Sequence, residues 1–200
     1  MLQTKWRVRI APVVYVTLAL SLLIVPLRWL FAAILAAAIH ELFHMLVLQV
    51  FKRRVYSAEI GFGGVILHTE PMLPHEELIC ALAGPLGGLA LLLVSRWIPR
   101  IALCAAFQSL YNLLPVYPSD GGRALRCGAR ILLPRSIADR LCNIIETVFL
   151  TGVALLGIYG SFKLHLGIMP SAIGFILIWK KLRRKIPLQT GRSQGTIYPL

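Results

Sequence analysis

Long apolar segments separated by short polar connections constrain the fold of this chain more than any other feature. Of its 200 residues, 58% are hydrophobic and 14% are charged, whereas a soluble domain has about 25% charged residues. One small core cannot bury so much apolar surface, so the sequence predicts an all-α polytopic membrane protein. Six candidate spans lie near the roughly 20 residues that a bilayer requires: Ile10–Leu27, Trp29–Phe51, Leu78–Ser95, Ile98–Leu114, Leu141–Tyr159 and Leu166–Trp179.

The basic residues concentrate in alternate connections between these spans. Cytosolic loops carry an excess of Lys and Arg, so the pattern predicts a multi-pass plasma membrane protein with both termini in the cytosol. The net charge of +13 is then a signature of membrane topology, and we expect no nucleic-acid partner. The clusters assigned to the cytosolic side are Lys5–Arg9, Lys52–Arg54, Arg123–Arg140 and Lys180–Arg192.

The chain is expected to form one membrane domain over residues 1–186, followed by a short cytosolic tail over 187–200. The basic start and first apolar run imitate a signal peptide, but the apolar stretch is longer than an h-region, so we expect no cleavage. The four cysteines show no CxxC spacing and are expected to be reduced, inert thiols.

The motif His40-Glu41-Leu42-Phe43-His44 lies near the middle of the second predicted span. Residues four apart share one helix face, so His40 and His44 can bind the same Zn²⁺. Glu41 is adjacent and can act as a general base without binding the metal. Ionisable groups within a bilayer are costly, which favours a functional site over two polar residues that bridge helices by hydrogen bonds.

A catalytic zinc needs a third protein ligand and an open position, and the chain offers only eight acidic residues. We favour Asp120, because the prolines and glycines of Asn112–Arg123 end the fourth span and turn the backbone back toward the membrane. The alternative is that Asp120 caps a helix over Gly121–Leu133. The other acidic side chains lie in connections or near span ends: Glu59, Glu70, Glu76, Glu77, Asp139 and Glu146.

The segment Val55–Thr69, between the second and third spans, lacks a helical pattern. Apolar residues surround three glycines there, which predicts a short β-hairpin or a membrane-dipping loop. An exposed strand edge can bind an extended substrate by strand addition. The alternative is a simple connector between the two spans.

HELFH and NLLPVYPSDGG resemble the site-2-protease class of intramembrane zinc metalloproteases. Phe62-Gly63-Gly64 and Ala83–Leu86 also resemble its sporulation branch, whose type member processes a sigma-factor precursor. The resemblance implies one Zn²⁺ per chain, held by His40, His44 and Asp120, with Glu41 as the base and Asn112 lining the site.

The sequence departs from the family pattern in three ways. Ser119 stands where Leu commonly precedes the aspartate, and Gly87-Gly88 stand where many relatives carry an Asn. Neither a CBS domain, typical of the sporulation branch, nor a PDZ domain is expected.

The function expected from these features is that of a bacterial intramembrane zinc endopeptidase acting on a membrane-tethered protein, such as a sigma-factor or transcription-factor precursor. Its further partners would be the lipid bilayer and a membrane inhibitor or regulator. Substrate contacts are expected from Asn112, Phe62, Gly63 and Gly64. The alternative is a zinc transporter or an inactive membrane chaperone. Transport would require metal-binding residues along several spans, and a silent homologue would usually have lost Glu41 or a ligand.

Overall fold

The computed structural model describes residues 7–61 and 64–163 of the chain. Their contacts form two compact units, of which the first ends at Leu132 and the second begins at Leu133. The second unit contributes helix α6, Arg135–Lys163. The first unit contains β1 (Arg7–Ile10), α1 (Pro12–Ile24), α2 (Leu27–Val50), β2 (Val55–Gly61), β3 (Gly64–Thr69), α3 (Pro74–Ala90), α4 (Pro99–Asn112) and α5 (Asp120–Leu132).

Among the described residues, three helices are long and apolar enough to cross a bilayer, which indicates a membrane protein: α2, α3 with its 3₁₀ continuation to Val94, and α6. The first and fourth predicted spans are helices of 13 and 14 residues, α1 and α4. Both begin at a proline, a residue that is favoured in the first turn of a helix because that turn needs no hydrogen bond from its N–H groups. The expectation of six spans is therefore not confirmed, and the predicted sixth span lies outside the described residues, as does the tail.

Helix α2 buries one narrow stripe and leaves the rest of its surface apolar and exposed. The buried positions recur every four residues, so they lie along one face: Ala32, Ala36, His40, His44 and Leu48. The alanines allow close approach, and the two histidines stand in the middle of the packed face. This face belongs to a helical layer in which α2 contacts α3 and α4.

Helix α3 brings small residues to the same layer. A Cβ at Gly87 would meet the ring of Phe43 from α2, and one at Gly88 would meet Ser109 Oγ from α4. Small residues let helix backbones approach closely within a membrane. The glycines of α3 therefore allow it to pack closely against α2 and α4.

The N-terminal end of α3 is fixed by a charged residue. Glu76 accepts hydrogen bonds from the backbone N–H of Leu73, at 3.0 Å, and from Arg53 Nη2, at 2.6 Å. The helix begins four residues before the predicted Leu78, at Pro74, because its polar first turn does not register in an apolar pattern.

The segment after α2 forms the predicted hairpin, but in a larger sheet. Strands β2 and β3 pair antiparallel, and β1 pairs with β2 in parallel, giving the order β1-β2-β3. The expectation of an otherwise all-α fold was therefore wrong at β1. Four residues directly before an apolar helix carry no visible strand pattern when their partner strand is distant in sequence.

A compact turn of seven residues, 113–119, connects α4 to α5. Ser119 Oγ lies within hydrogen-bonding distance of two carbonyl oxygens of the turn, 2.7 Å from Leu114 and 2.6 Å from Val116. The Ser119 carbonyl accepts the N–H of Arg123 at 2.9 Å. Ser119 thus precedes the first turn of α5 as its N-cap, and Asp120 is the first helical residue.

Candidate metal centre

Two helices from different parts of the first unit bring three metal-binding side chains together. His40 and His44 lie one turn apart on α2, and Asp120 begins α5. All three are buried, with relative exposures of 2%, 6% and 9%. Buried groups of this kind are retained when they are paired or bind a metal, and His, His and Asp suit Zn²⁺.

The spacing of the three ligand atoms fits a tetrahedral zinc ion. His40 Nε2 lies 3.0 Å from Asp120 Oδ2 and 3.2 Å from His44 Nε2, and His44 Nε2 lies 3.4 Å from Asp120 Oδ2. Ligand atoms about 2.0–2.1 Å from zinc stand about 3.3 Å apart at neighbouring corners of a tetrahedron. The three atoms therefore match one face of such a site.

The orientation of His44 is set by a main-chain group. Its Nδ1–H donates to the carbonyl oxygen of Cys80 in α3, at 2.8 Å. A proton on Nδ1 leaves the lone pair of Nε2 free to face a metal, the usual arrangement of a metal-binding histidine. His40 Nδ1, in contrast, is buried without a hydrogen-bond partner in the described part of the chain.

Asp120 is directed to the histidines and does not cap the helix. Ser119 takes the capping position, so the alternative interpretation of Asp120 as N-cap was wrong. Burial raises the pKa of the Asp120 carboxyl, but hydrogen bonding to His40 and His44 outweighs it and holds the pKa well below its usual range. An ionised carboxylate is the form that binds a metal.

Glu41 stands beside the three ligands and is half-buried. Its carboxylate accepts a hydrogen bond from the backbone of Val65, in β3. Because Glu41 lies within the long apolar helix α2, the hairpin reaches back to the level of the helix interior. The segment thus has the predicted form of a hairpin, and its second strand contacts the middle of α2.

Asn112, at the end of α4, also reaches the centre. Its Nδ2 lies 3.1 Å from His40 Nε2. A side-chain amide at this position offers N–H donors close to the ligand atoms. The structure therefore has Asn112 beside the ligands, where the resemblance implies that it lines the site.

Gly84 in α3 makes room for the centre, a role that sequence reasoning did not identify. A Cβ at this position would meet Nε2 of both histidines, coming within 2.7 Å of that of His40. Only a residue without a side chain leaves the Nε2 atoms free to face a ligand. The small-residue run of the third span was a signal for close packing, but not for this particular contact.

The hairpin residues predicted to bind substrate are only partly described. Gly64 begins β3 with a φ of 120°, a conformation that favours glycine. Phe62 and Gly63 lie outside the described residues. The four cysteines form no disulfide in the described residues.

The comparison with solved structures finds a protein of the same fold. The Site-2 Protease from Methanocaldococcus jannaschii superposes with a TM-score of 0.62, covering 95% of this chain and 95% of that chain. The chain has a site-2-protease fold. The sequences are 17% identical, a level at which the likeness concerns the fold alone. No family model matches the sequence, and no curated protein matches it.

Proposed function

We propose that this protein is an intramembrane zinc endopeptidase, which hydrolyses a peptide bond in or near the transmembrane segment of a membrane-tethered protein. The main support for this proposal is the spacing of the ligand atoms of His40, His44 and Asp120, which suits one tetrahedral Zn²⁺ per chain. Glu41 lies beside these ligands inside an apolar helix long enough to cross a bilayer. The fold shared with a site-2 protease agrees with this proposal.

Each residue of the centre has a separate role in the proposed reaction. Bound Zn²⁺ would lower the pKa of a coordinated water and polarise the scissile carbonyl. Glu41 accepts the proton of the attacking water and later delivers it to the leaving amine. Asn112 donates an N–H to the substrate or to the oxygen on which negative charge develops.

The edge strand β3 is the proposed binding place for the substrate, through Gly64 and the adjoining Phe62 and Gly63. A transmembrane helix hides its peptide bonds in its own hydrogen bonds, so it must unwind before cleavage. An extended segment added to β3 replaces those bonds with strand pairing. Val65 would couple substrate binding at β3 to catalysis, because its backbone already hydrogen-bonds the base Glu41.

The finer parts of the proposal rest on the sequence. Phe62-Gly63-Gly64 and Ala83–Leu86 favour the sporulation branch, and hence a sigma-factor or transcription-factor precursor as substrate in a bacterial plasma membrane. The alternation of basic connections favours an orientation with both termini in the cytosol. We further propose a single protease domain over residues 1–186 and a membrane inhibitor or regulator that controls it.

Zinc transport is the competing function, and one observation weighs against it. Within residues 7–61 and 64–163, the three-residue centre is the one group of His, Cys, Asp and Glu with metal-binding spacing. A transport path needs further polar positions that continue through the membrane. A hydrolytic site needs one such group.

Replacement of the base tests the proposal. Glu41→Gln preserves shape but removes the proton acceptor, so it should retain one zinc per chain and lose at least about 100-fold in cleavage rate. The measurement compares membrane proteomes of cells that express wild type or Glu41→Gln as their only copy. Membrane-bound precursors should accumulate in the variant, with a matching loss of their cleaved products.

A substitution remote from the centre serves as the control. Arg9→Gln removes an exposed ion pair with Glu59, at 3.6 Å, and should leave the proteome unchanged. If Glu41→Gln contains full zinc and every precursor is still processed at the wild-type rate, the protein is not the proposed protease.

A further inference from the structure

Arg123 lies behind the proposed metal centre and bridges two acidic side chains. Its Nη1 lies 3.9 Å from Asp120 Oδ1, and its Nε lies 3.7 Å from Glu77 Oε1 in α3. These are ion-pair distances, longer than direct hydrogen bonds. The Arg123 side chain is only 12% exposed, and such burial of a guanidinium is costly unless it is paired.

The two oxygens of Asp120 face different partners. Oδ2 faces His40 and His44, whereas Oδ1 faces Arg123. A carboxylate on a short side chain can rotate about its terminal bond. A cation held on the Oδ1 side favours the rotamer that presents Oδ2 to the metal.

Arg123 lies between carboxylates of two helices, at ion-pair distances and without a hydrogen bond to its Nε among the described residues. It lies three residues after Asp120 on α5, and therefore on the same helix face. Glu77 holds it from α3, and the Cys127 thiol of α5 hydrogen-bonds the same carboxylate. Burial is the main reason that the pKa of Cys127 rises to about 12, so this thiol stays protonated and can donate.

We propose that Arg123, anchored by Glu77, is a positioning residue that holds the Asp120 carboxylate in its metal-binding orientation. The inference rests on the proposed zinc site. The ion pair between α3 and α5 then has a function, because it fixes Asp120, the one proposed ligand that does not come from α2.

The sign of the effect of Arg123→Gln separates positioning from a simple charge effect. If only charge mattered, Arg123→Gln would remove a cation near Zn²⁺ and strengthen zinc binding, and Glu77→Gln would weaken it. Positioning predicts that both variants bind zinc more weakly. Loss of a residue that orients a metal ligand typically costs 10–100-fold in affinity, and we expect about 10-fold or more for Arg123→Gln.

The experiment measures metal binding by the purified full chain in lipid vesicles. Zinc affinity is obtained by competition with a chromophoric chelator, and ligand geometry from the visible spectrum of the Co²⁺-substituted protein. Arg123→Gln and Glu77→Gln should weaken zinc binding and change the cobalt spectrum. Arg123→Lys should fall between wild type and Arg123→Gln, because an ammonium is a point charge and does not span two carboxylates as a guanidinium does.

Arg126→Gln is the matched control. Arg126 lies on the same helix, but its guanidinium stacks on the ring of Tyr117, 4.7 Å from the centroid. The proposal is wrong if Arg123→Gln binds zinc as tightly as wild type or more tightly, or if Arg126→Gln weakens binding equally. If Arg123→Gln does not fold, Arg123→Lys decides: it keeps the positive charge, so a zinc affinity equal to that of wild type would overturn the positioning role.

The two proposals can fail separately. A wild-type protein that binds one zinc but cleaves no membrane protein would contradict the proposed protease and leave the positioning role intact. Unchanged zinc affinity in both Arg123→Gln and Glu77→Gln would overturn the positioning role and leave the protease standing.

Discussion

At the scale of single residues, some members of the metal centre can be predicted from the chemistry of their side chains, and others are recognised only from the packing in the structure. The spacing of His40 and His44 predicts a shared ligand site, and a search among few carboxylates suffices to choose Asp120. The Cys80 carbonyl and the space at Gly84 have no such signal, because a backbone oxygen or a missing side chain looks the same in any helix. The sequence predicts Arg123 as part of a cytosolic cluster of basic residues, but not as a partner of Asp120.

The space at Gly84 gives a direct prediction. Gly84→Ala places a methyl group against Nε2 of both histidines, so zinc affinity should fall by at least about 10-fold, as expected when metal ligands are displaced. Chelator competition on the purified variant measures this.

Gly128→Ala is the control for that variant, because a Cβ there meets nothing within 4 Å. It should bind zinc normally and gain about 0.4–1 kcal/mol in stability from reduced freedom of the unfolded chain. Normal zinc affinity in Gly84→Ala would mean that the helices move apart easily, and would remove the packing argument.

At the scale of elements, the sequence predicts the long helices well but misses one strand and the start of one helix. Helices α2 and α3 appear where apolar runs are longest, and α5 where Asp120 was expected to precede a helix. The strand β1 was missed because its pairing with β2 depends on residues far along the chain. The start of α3 was misplaced because Glu76 acts through a hydrogen bond to Leu73, not through hydropathy.

The crossing of α3 and α4 allows a test of helix packing. Gly88→Ala would press a methyl group against Ser109 Oγ, and such overpacking costs about 1–3 kcal/mol. Ser109→Ala should cost little, because this buried hydroxyl has no hydrogen-bond partner among the described residues. The double variant should recover most of the stability lost in Gly88→Ala.

Thermal unfolding of the purified variants in detergent completes this double-mutant cycle. A favourable coupling of about 1 kcal/mol or more between the two substitutions is the expected result. Strictly additive effects would show that the contact between Gly88 and Ser109 does not limit the approach of α3 and α4.

At the scale of the whole chain, hydropathy and charge both indicate a membrane protein. Hydropathy bears on which helices can cross, and charge bears on which side each connection lies. Hydropathy identifies the long helices α2, α3 and α6, whereas α1 and α4 fall short of the usual span length. A helix of 13 residues extends about 20 Å, less than the roughly 30 Å of a bilayer core. Whether such helices cross therefore depends on neighbours and anchoring charges, which hydropathy does not measure.

The prediction at this scale concerns the side of the membrane on which each end of α3 lies. Arg54 and Arg96 are exposed and lie beyond opposite ends of α3 with its 3₁₀ continuation. Single cysteines introduced there in a cysteine-free chain should react with a membrane-impermeant thiol reagent from opposite sides of sealed vesicles. Arg54→Cys should be labelled from the cytosolic face.

Permeabilised vesicles, in which both positions should react, provide the control for this labelling. Reaction of both positions from the same face of sealed vesicles would mean that this helix does not cross the membrane. The charge-based orientation would then have to be abandoned along with it.

The parallel pairing of β1 with β2 sets the order in which this chain can assemble. Arg7 pairs with Ser57, and both α1 and α2 lie between the two strands. Parallel neighbours require a crossover connection, which here is the helical pair itself. The strands therefore cannot pair until synthesis has produced both helices and the helical pair has brought β2 beside β1. A nascent chain whose helical pair folded differently would leave β2 without this neighbour, so the pairing of β1 with β2 can only follow the formation of α1 and α2.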